Sequence, residues 1–174
     1  KITRIEEDKY VWIDKFTARN LELIYSANDN AKTLVDIIDK TTTPMGARQL
    51  KRWIMLPLKE ISLIENRLNI VDFIIINPDF SDRLKEHIRS IGDLERLISK
   101  VAVGKINPRE VLHLKRSLKA VAEIKLLCSN TKNDTLKSIG EQLNACHIIC
   151  ERIEREISEE APVLVSKGNV IAAG

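Results

Sequence analysis

Three dipeptides, Thr43-Pro44, Asn77-Pro78 and Asn107-Pro108, limit most strongly what this chain can fold into. Each sets a polar side chain that can accept an orphan backbone N–H directly before a proline. Proline has no N–H to leave unpaired, and its φ is already helical. Helix starts are therefore predicted at residues 44, 78 and 108. Asn107 is reinforced by Glu110 three residues on, and Ser62 with Glu65 reads as a second capping box. Between these marks the apolar spacing is helical: Ile61, Ile64, Leu68, Val71 and Ile75 step by three and four, as do Val111, Leu114, Leu118 and Val121. Leu94, Leu97, Ile98 and Val101 give a short helix begun by Asp93 and ended near Gly104. Upstream, Thr17 to Tyr25 reads as a short helix, Ser26 to Lys32 as a polar loop, and Leu34 to Ile38 as a small helix closed by Thr41-Thr42-Thr43.

Two long helices are predicted over 107–129 and 133–158, about 34 Å and 39 Å at 1.5 Å per residue. The short polar link from Asn130 to Asn133 makes them antiparallel. The ends have another character. Tyr10-Val11-Trp12-Ile13 is β-prone; Pro162 stops helix formation, and Val163-Leu164-Val165 and Val170-Ile171 flank a four-residue turn as two short strands. The predicted fold is all-α, an irregular multi-helix bundle with two long antiparallel helices and short β segments at both ends. Residues 1–14 form a strand or hairpin, 15–161 the helical core, and 162–174 a second hairpin. With 174 residues the chain needs no disulfide or metal to hold a core. It opens without methionine, ends on Ala172-Ala173-Gly174, and reads as a piece of something longer.

Charge and cysteine exclude several function classes. A net charge of +3 arises wholly after residue 87 and is too diffuse for a typical DNA-coating domain. Aromatic residues at 4% are too few for a groove that stacks successive bases. Apolar runs such as Phe73-Ile74-Ile75-Ile76 fall far short of the ~20 residues a bilayer span needs. The charged start shows no signal peptide. Three cysteines, an odd number, read as reduced thiols. Cys146, His147 and Cys150 resemble a metal cluster, but Leu136, Ile139, Leu143, Cys146, Cys150, Ile153 and Ile157 predict one helical stripe, which favours core packing for both cysteines. No nucleotide-binding loop, zinc ribbon or nucleophile elbow occurs in these residues, and Glu154, Glu156, Glu159 and Glu160 read as a solvated helix face. No catalytic, cofactor-binding or metal residue is predicted, and the segment reads as not an enzyme.

Two basic groups remain. Arg48, Lys51 and Arg52 share a face of the helix after Pro44, and Lys115, Arg116 and Lys119 form a similar group. They are open to phosphate contact, or to a solvated surface with internal pairs to Asp36, Asp39 or Glu123; the second is favoured. Trp12 and Trp53 sit in apolar patterns and are expected to anchor the core.

The run from Asp39 through Thr43-Pro44-Met45-Gly46-Ala47-Arg48 to Trp53, followed by Pro57-Leu58, is distinctive. It resembles the signature of the core (lever) domain, domain III, of the MutS family of DNA mismatch-recognition proteins. Asp14 with Thr17 and Asn20-Leu21-Glu22-Leu23, then Ile64 with Arg67-Leu68, Asp93-Leu94-Glu95-Arg96, Pro108-Arg109 and the tail from Pro162 to Ile171 agree in the same order. The resemblance implies structural roles for Asp14, Asn20, Thr43, Pro44, Gly46, Arg48, Trp53, Pro57, Asp93, Arg96 and Pro108. It implies a domain that couples ATP-driven change to DNA clamping in mismatch repair. Mismatched duplex DNA, a homodimer, a MutL-like partner, and ATP with Mg belong to the full-length protein, which would be cytoplasmic and nucleoid-associated. The alternatives are an independent helical module that binds DNA or recruits a partner, and the core of a MutS homologue acting in recombination.

Overall fold

The computed structural model describes residues 9–28 and 30–172. Its elements are α1 (Lys15–Asn20), α2 (Leu34–Ile38), α3 (Pro44–Met55), α4 (Ile61–Ile76), α5 (Pro78–Ser90), α6 (Leu94–Ala102), α7 (Pro108–Ser129), α8 (Asp134–Gln142) and α9 (His147–Glu156). The chain divides into two compact units, the first ending at Asp72 and the second starting at Phe73.

In the first unit, the helix ends are set by short polar side chains. Asp14 Oδ1 accepts the N–H groups of Phe16 and Thr17 at 2.8 and 2.9 Å, starting α1. The helix expected to reach Tyr25 stops at Asn20, because Glu22 takes a left-handed φ of 48°. The chain then turns so that Leu34 and Val35 donate to the carbonyls of Glu22 and Leu23. Thr33 and Asp36 close a reciprocal capping box on α2. Thr43 Oγ1 accepts from Gly46 N at 3.1 Å to begin α3. The Ser62–Glu65 box does not form: α4 starts at Ile61, so Ser62 is already helical, and its hydroxyl donates to Glu60.

No strand forms at the near end among the described residues. Part of the segment predicted as a strand or hairpin, residues 1–8, lies outside them. Tyr10 makes one antiparallel bridge to Leu58, flanked by Val11 N to Pro57 O and Lys59 N to Lys9 O. Two bonds on one side of a bend do not build a ladder.

The second unit is organised around α7, on which α5, α6, α8 and α9 each pack. Asn107 and Glu110 form the predicted capping box at its start. Asn77 does not cap α5; its amide instead donates to Phe73 O at 2.8 Å, at the end of α4. Asp93 caps α6 through Arg96 N. Leu112, Ile153 and Ala161 form the buried cluster, with Val111 and Ile157 against it. Gly140 brings α8 so close to α7 that an added Cβ would stand 3.0 Å from Cys128 Cβ.

The second long helix is broken. Between α8 and α9, Cys146 adopts a left-handed φ of 50°, and Asn144 Oδ1 accepts its N–H. Lys125 on α7 donates to the carbonyl of Leu143 at 2.8 Å, satisfying a carbonyl that a continuous helix would have paired internally. Cys150 and Ile153 stay buried, but Ile139 is exposed and Cys146 only half-buried, so the expected single stripe is lost.

Among the described residues the terminal hairpin expected over 162–174 is also absent; residues 173–174 lie outside them. Val165–Lys167 form a 3-10 turn, and residues 170–172 pair instead with the end of α9: Ile157 bridges Ile171, Ser158 N donates to Val170 O, and Ala172 N to Glu156 O. Left-handed backbone at Gly168 and Asn169 turns the chain back to that partner.

Candidate functional site

The signature face lies in the first unit on α3. Arg48, Lys51 and Arg52 are exposed along it. Lys51 lines an open cleft of about 540 Å³ together with Asp36, Asp39, Thr41, Thr43 and Pro44. Both carboxyls are held below their ordinary range. For Asp36 the main cause is the Thr33 N–H, and for Asp39 the Thr41 hydroxyl; the Lys51 charge adds to each. The cleft is thus of mixed sign, with Lys51 facing two anions. Gly46 packs against the side chains of Thr41 and Thr43, where a Cβ would lie 3.2–3.3 Å from their nearest atoms. The tight approach there is by side chains.

Neither tryptophan is a core anchor. Trp12 is 67% exposed and Trp53 43%, and Trp53 carries the Arg67 guanidinium over its ring at 3.9 Å. An apolar pattern with one amphipathic aromatic can be answered by a cation as well as by a core. Pro57 supplies the carbonyl that Val11 binds, Asn20 closes α1, Arg96 is exposed on α6, and Pro108 is buried at the first position of α7.

The second unit holds a seam of polar ties to α7. Lys100 on α6 pairs with Glu110 at the start of α7. Lys119 Nζ reaches both oxygens of Glu154 at 2.9 and 3.1 Å, and Lys115 pairs with Glu159. Arg109 Nε donates to Ala161 O at 3.3 Å, and Ser117 Oγ accepts Gly92 N at 3.0 Å. These ties let two polar residues of α7 be buried beside Leu112, Ala120 and Cys128. Lys115 is 3% exposed and Ser117 fully buried, while Val111, Leu114, Leu118 and Val121 are only half-buried. Glu154 and Glu159 are exposed, as the solvated-face reading expects, and also serve as lysine partners: hydrogen bonds from Lys119 and Lys115 hold their carboxyls below the usual range, as Lys100 does for the capping residue Glu110. The sequence hides the Lys119–Glu154 and Lys115–Glu159 pairs because their partners are 35 and 44 residues apart. The internal partners expected for the basic groups included Glu123; on α7 they are Glu154 and Glu159.

Burial raises the Cys128 and Cys150 thiols, which leaves less of the reactive thiolate. Among the described residues no three His, Cys, Asp or Glu side chains gather as a metal set, and no helix is long and apolar enough to cross a membrane.

The sequence model of MutS domain III matches residues 16–173. The chain belongs to the MutS family. It is 54% identical over 173 residues to the DNA mismatch repair protein MutS of Christiangramia forsetii, 53% to that of Bacteroides fragilis and 52% to that of Bacteroides thetaiotaomicron. In each case 99% of this chain is covered but only 20% of the relative, so the chain spans about a fifth of the length of these MutS proteins. That coverage overturns the reading of the chain as not an enzyme: a nucleotide-binding loop missing from one fifth of a MutS protein says nothing about the activity of the whole.

Proposed function

We propose that this domain III acts in DNA mismatch repair as the stiff helical body of a MutS protein, passing conformational change between nucleotide turnover and DNA grip elsewhere in the polypeptide. The family match over residues 16–173 carries the reading. The polar ties of α7 support it, since packed helices cross-linked in this way repack as units instead of deforming continuously. The outer face of α4 supports it too. Ile61, Ile64, Leu68 and Val71 lie 38–70% exposed along one stripe, a surface suited to burial against other parts of a protein five times longer. In this reading mismatched duplex DNA, dimerisation, a MutL-like partner, and ATP with Mg belong to the whole protein. An independent DNA-binding module has less support, because Lys51 shares its cleft with Asp36 and Asp39. The relatives' names favour repair over recombination.

The test is a chimera. Residues 16–173 replace the matching segment of the Bacteroides fragilis MutS protein in a strain lacking its own MutS. The expected result is a mutation rate returned to near the wild-type level. A chimera that accumulates to normal amounts yet leaves the rate high would refute the proposal.

A further inference from the structure

We infer that Lys115–Glu159 and Arg109–Ala161 together form a two-state clasp that fixes the path of the chain after α9. Its use in transmitting motion rests on the domain III reading; the clasp itself does not.

The turn over residues 158–161 is seated on α7 by three contacts of different kinds. The Glu159 carboxylate takes the Lys115 ammonium, the Ala161 carbonyl takes the Arg109 N–H, and the Ala161 methyl, 1% exposed, lies in the cluster with Leu112 and Ile153. The turn closes on itself through Ala161 N to Ser158 O. It also carries residues 170–172, because Ser158 N binds Val170 O and Ala172 N binds Glu156 O. Whatever moves the turn moves that segment.

The unequal burial of the ion pair makes the movement all-or-none. Glu159 is 59% exposed and can leave for water at little cost, whereas Lys115 is 3% exposed and cannot. A carboxylate half withdrawn would leave the buried ammonium without a hydrogen-bonded counterion, with only the charge of Glu154, itself bound to Lys119, nearby, an expensive arrangement. The favoured states are therefore a seated turn, or a released one in which water reaches Lys115. Arg116, exposed beside the same cleft as Arg109 and Glu159, offers the withdrawn carboxylate a second cation.

The experiment uses the full-length chimera described above, followed by hydrogen–deuterium exchange. In Glu159→Gln the amides of Ser158 and Ala172 should exchange at least tenfold faster, with α5 unchanged. Lys115→Met removes the buried charge together with its need for a counterion, and should stay within threefold of the parent. Adding Glu159→Gln to Lys115→Met should then have little further effect. A Glu159→Gln change below threefold, or one of equal size in both backgrounds, overturns the clasp. The same variants, tested for ATP-dependent release of mismatched DNA, report separately on transmission: altered exchange with unaltered release leaves the clasp standing and removes the relay.

Discussion

Replacing Gly140 by alanine sets two ordinary rules against each other. Gly140 lies inside α8, where alanine is favoured over glycine by about 1 kcal/mol on helix propensity alone. The packing opposes this. A Cβ at Gly140 would stand 3.0 Å from Cys128 Cβ, 3.2 Å from the Lys125 carbonyl oxygen and 3.2 Å from Ser129 Oγ. Cys128 is 2% exposed and the Lys125 oxygen is backbone, so neither yields as the free end of a long side chain would. The alternative is for α8 to lift from α7, and overpacking of this kind costs about 1–3 kcal/mol. The expected net loss is about 1 kcal/mol, or about 2–4 °C in Tm for a chain of this size. Urea unfolding of the chain, followed by far-ultraviolet circular dichroism, should show a lower midpoint with an unchanged slope. A rise in stability would mean that α8 shifts freely, and would refute the close-crossing argument.

Leu112→Ala empties the centre of the second unit and should cost about 2–5 kcal/mol in the same unfolding assay. Asn107→Ala breaks a formed capping box and should cost about 1 kcal/mol, whereas Asn77→Ala, whose side chain caps no helix N–H, should cost less than about half of that. The carboxyls of Glu110, Glu154 and Glu159 are held below their usual range by lysine hydrogen bonds, so they stabilise the fold above the ordinary glutamate pKa. That contribution should fade as pH falls through their lowered folded values. Urea midpoints measured down the acid range should show a shallower decline in Glu154→Gln than in the parent chain.

The parts of this fold legible in the sequence are those set by local chemistry. Thr43 and Asn107 start helices because a cap needs only its own next three residues. Asp93 does the same for α6. The signature run through Gly46 and Arg48 carries the family resemblance in contiguous residues. Elsewhere distant partners decided the outcome. The break after Leu143 depends on Lys125 from another helix, and residues 170–172 chose the end of α9 over the nearer Val163-Leu164-Val165. Hydropathy places Val111 and Leu114 on the inner face of α7, and Val111 does pack against the cluster, but Lys115 and Ser117 are also buried, because each has a polar partner supplied from far along the chain. Trp53 departs from the expected core position for a related reason: its ring is met by Arg67, a contact that apolar spacing does not encode.

The placement of α7 also bears on how the second unit comes into being. Four helices dock on this one rod, so each must wait for it to form before its own apolar side finds a home. Twenty-two residues with a formed start box make a nucleus long enough to persist while its neighbours arrive. Substitutions on the rod should therefore slow folding, while those on the outer helices should mainly hasten unfolding. Such an order makes α7, and none of the helices around it, the place where the second unit begins.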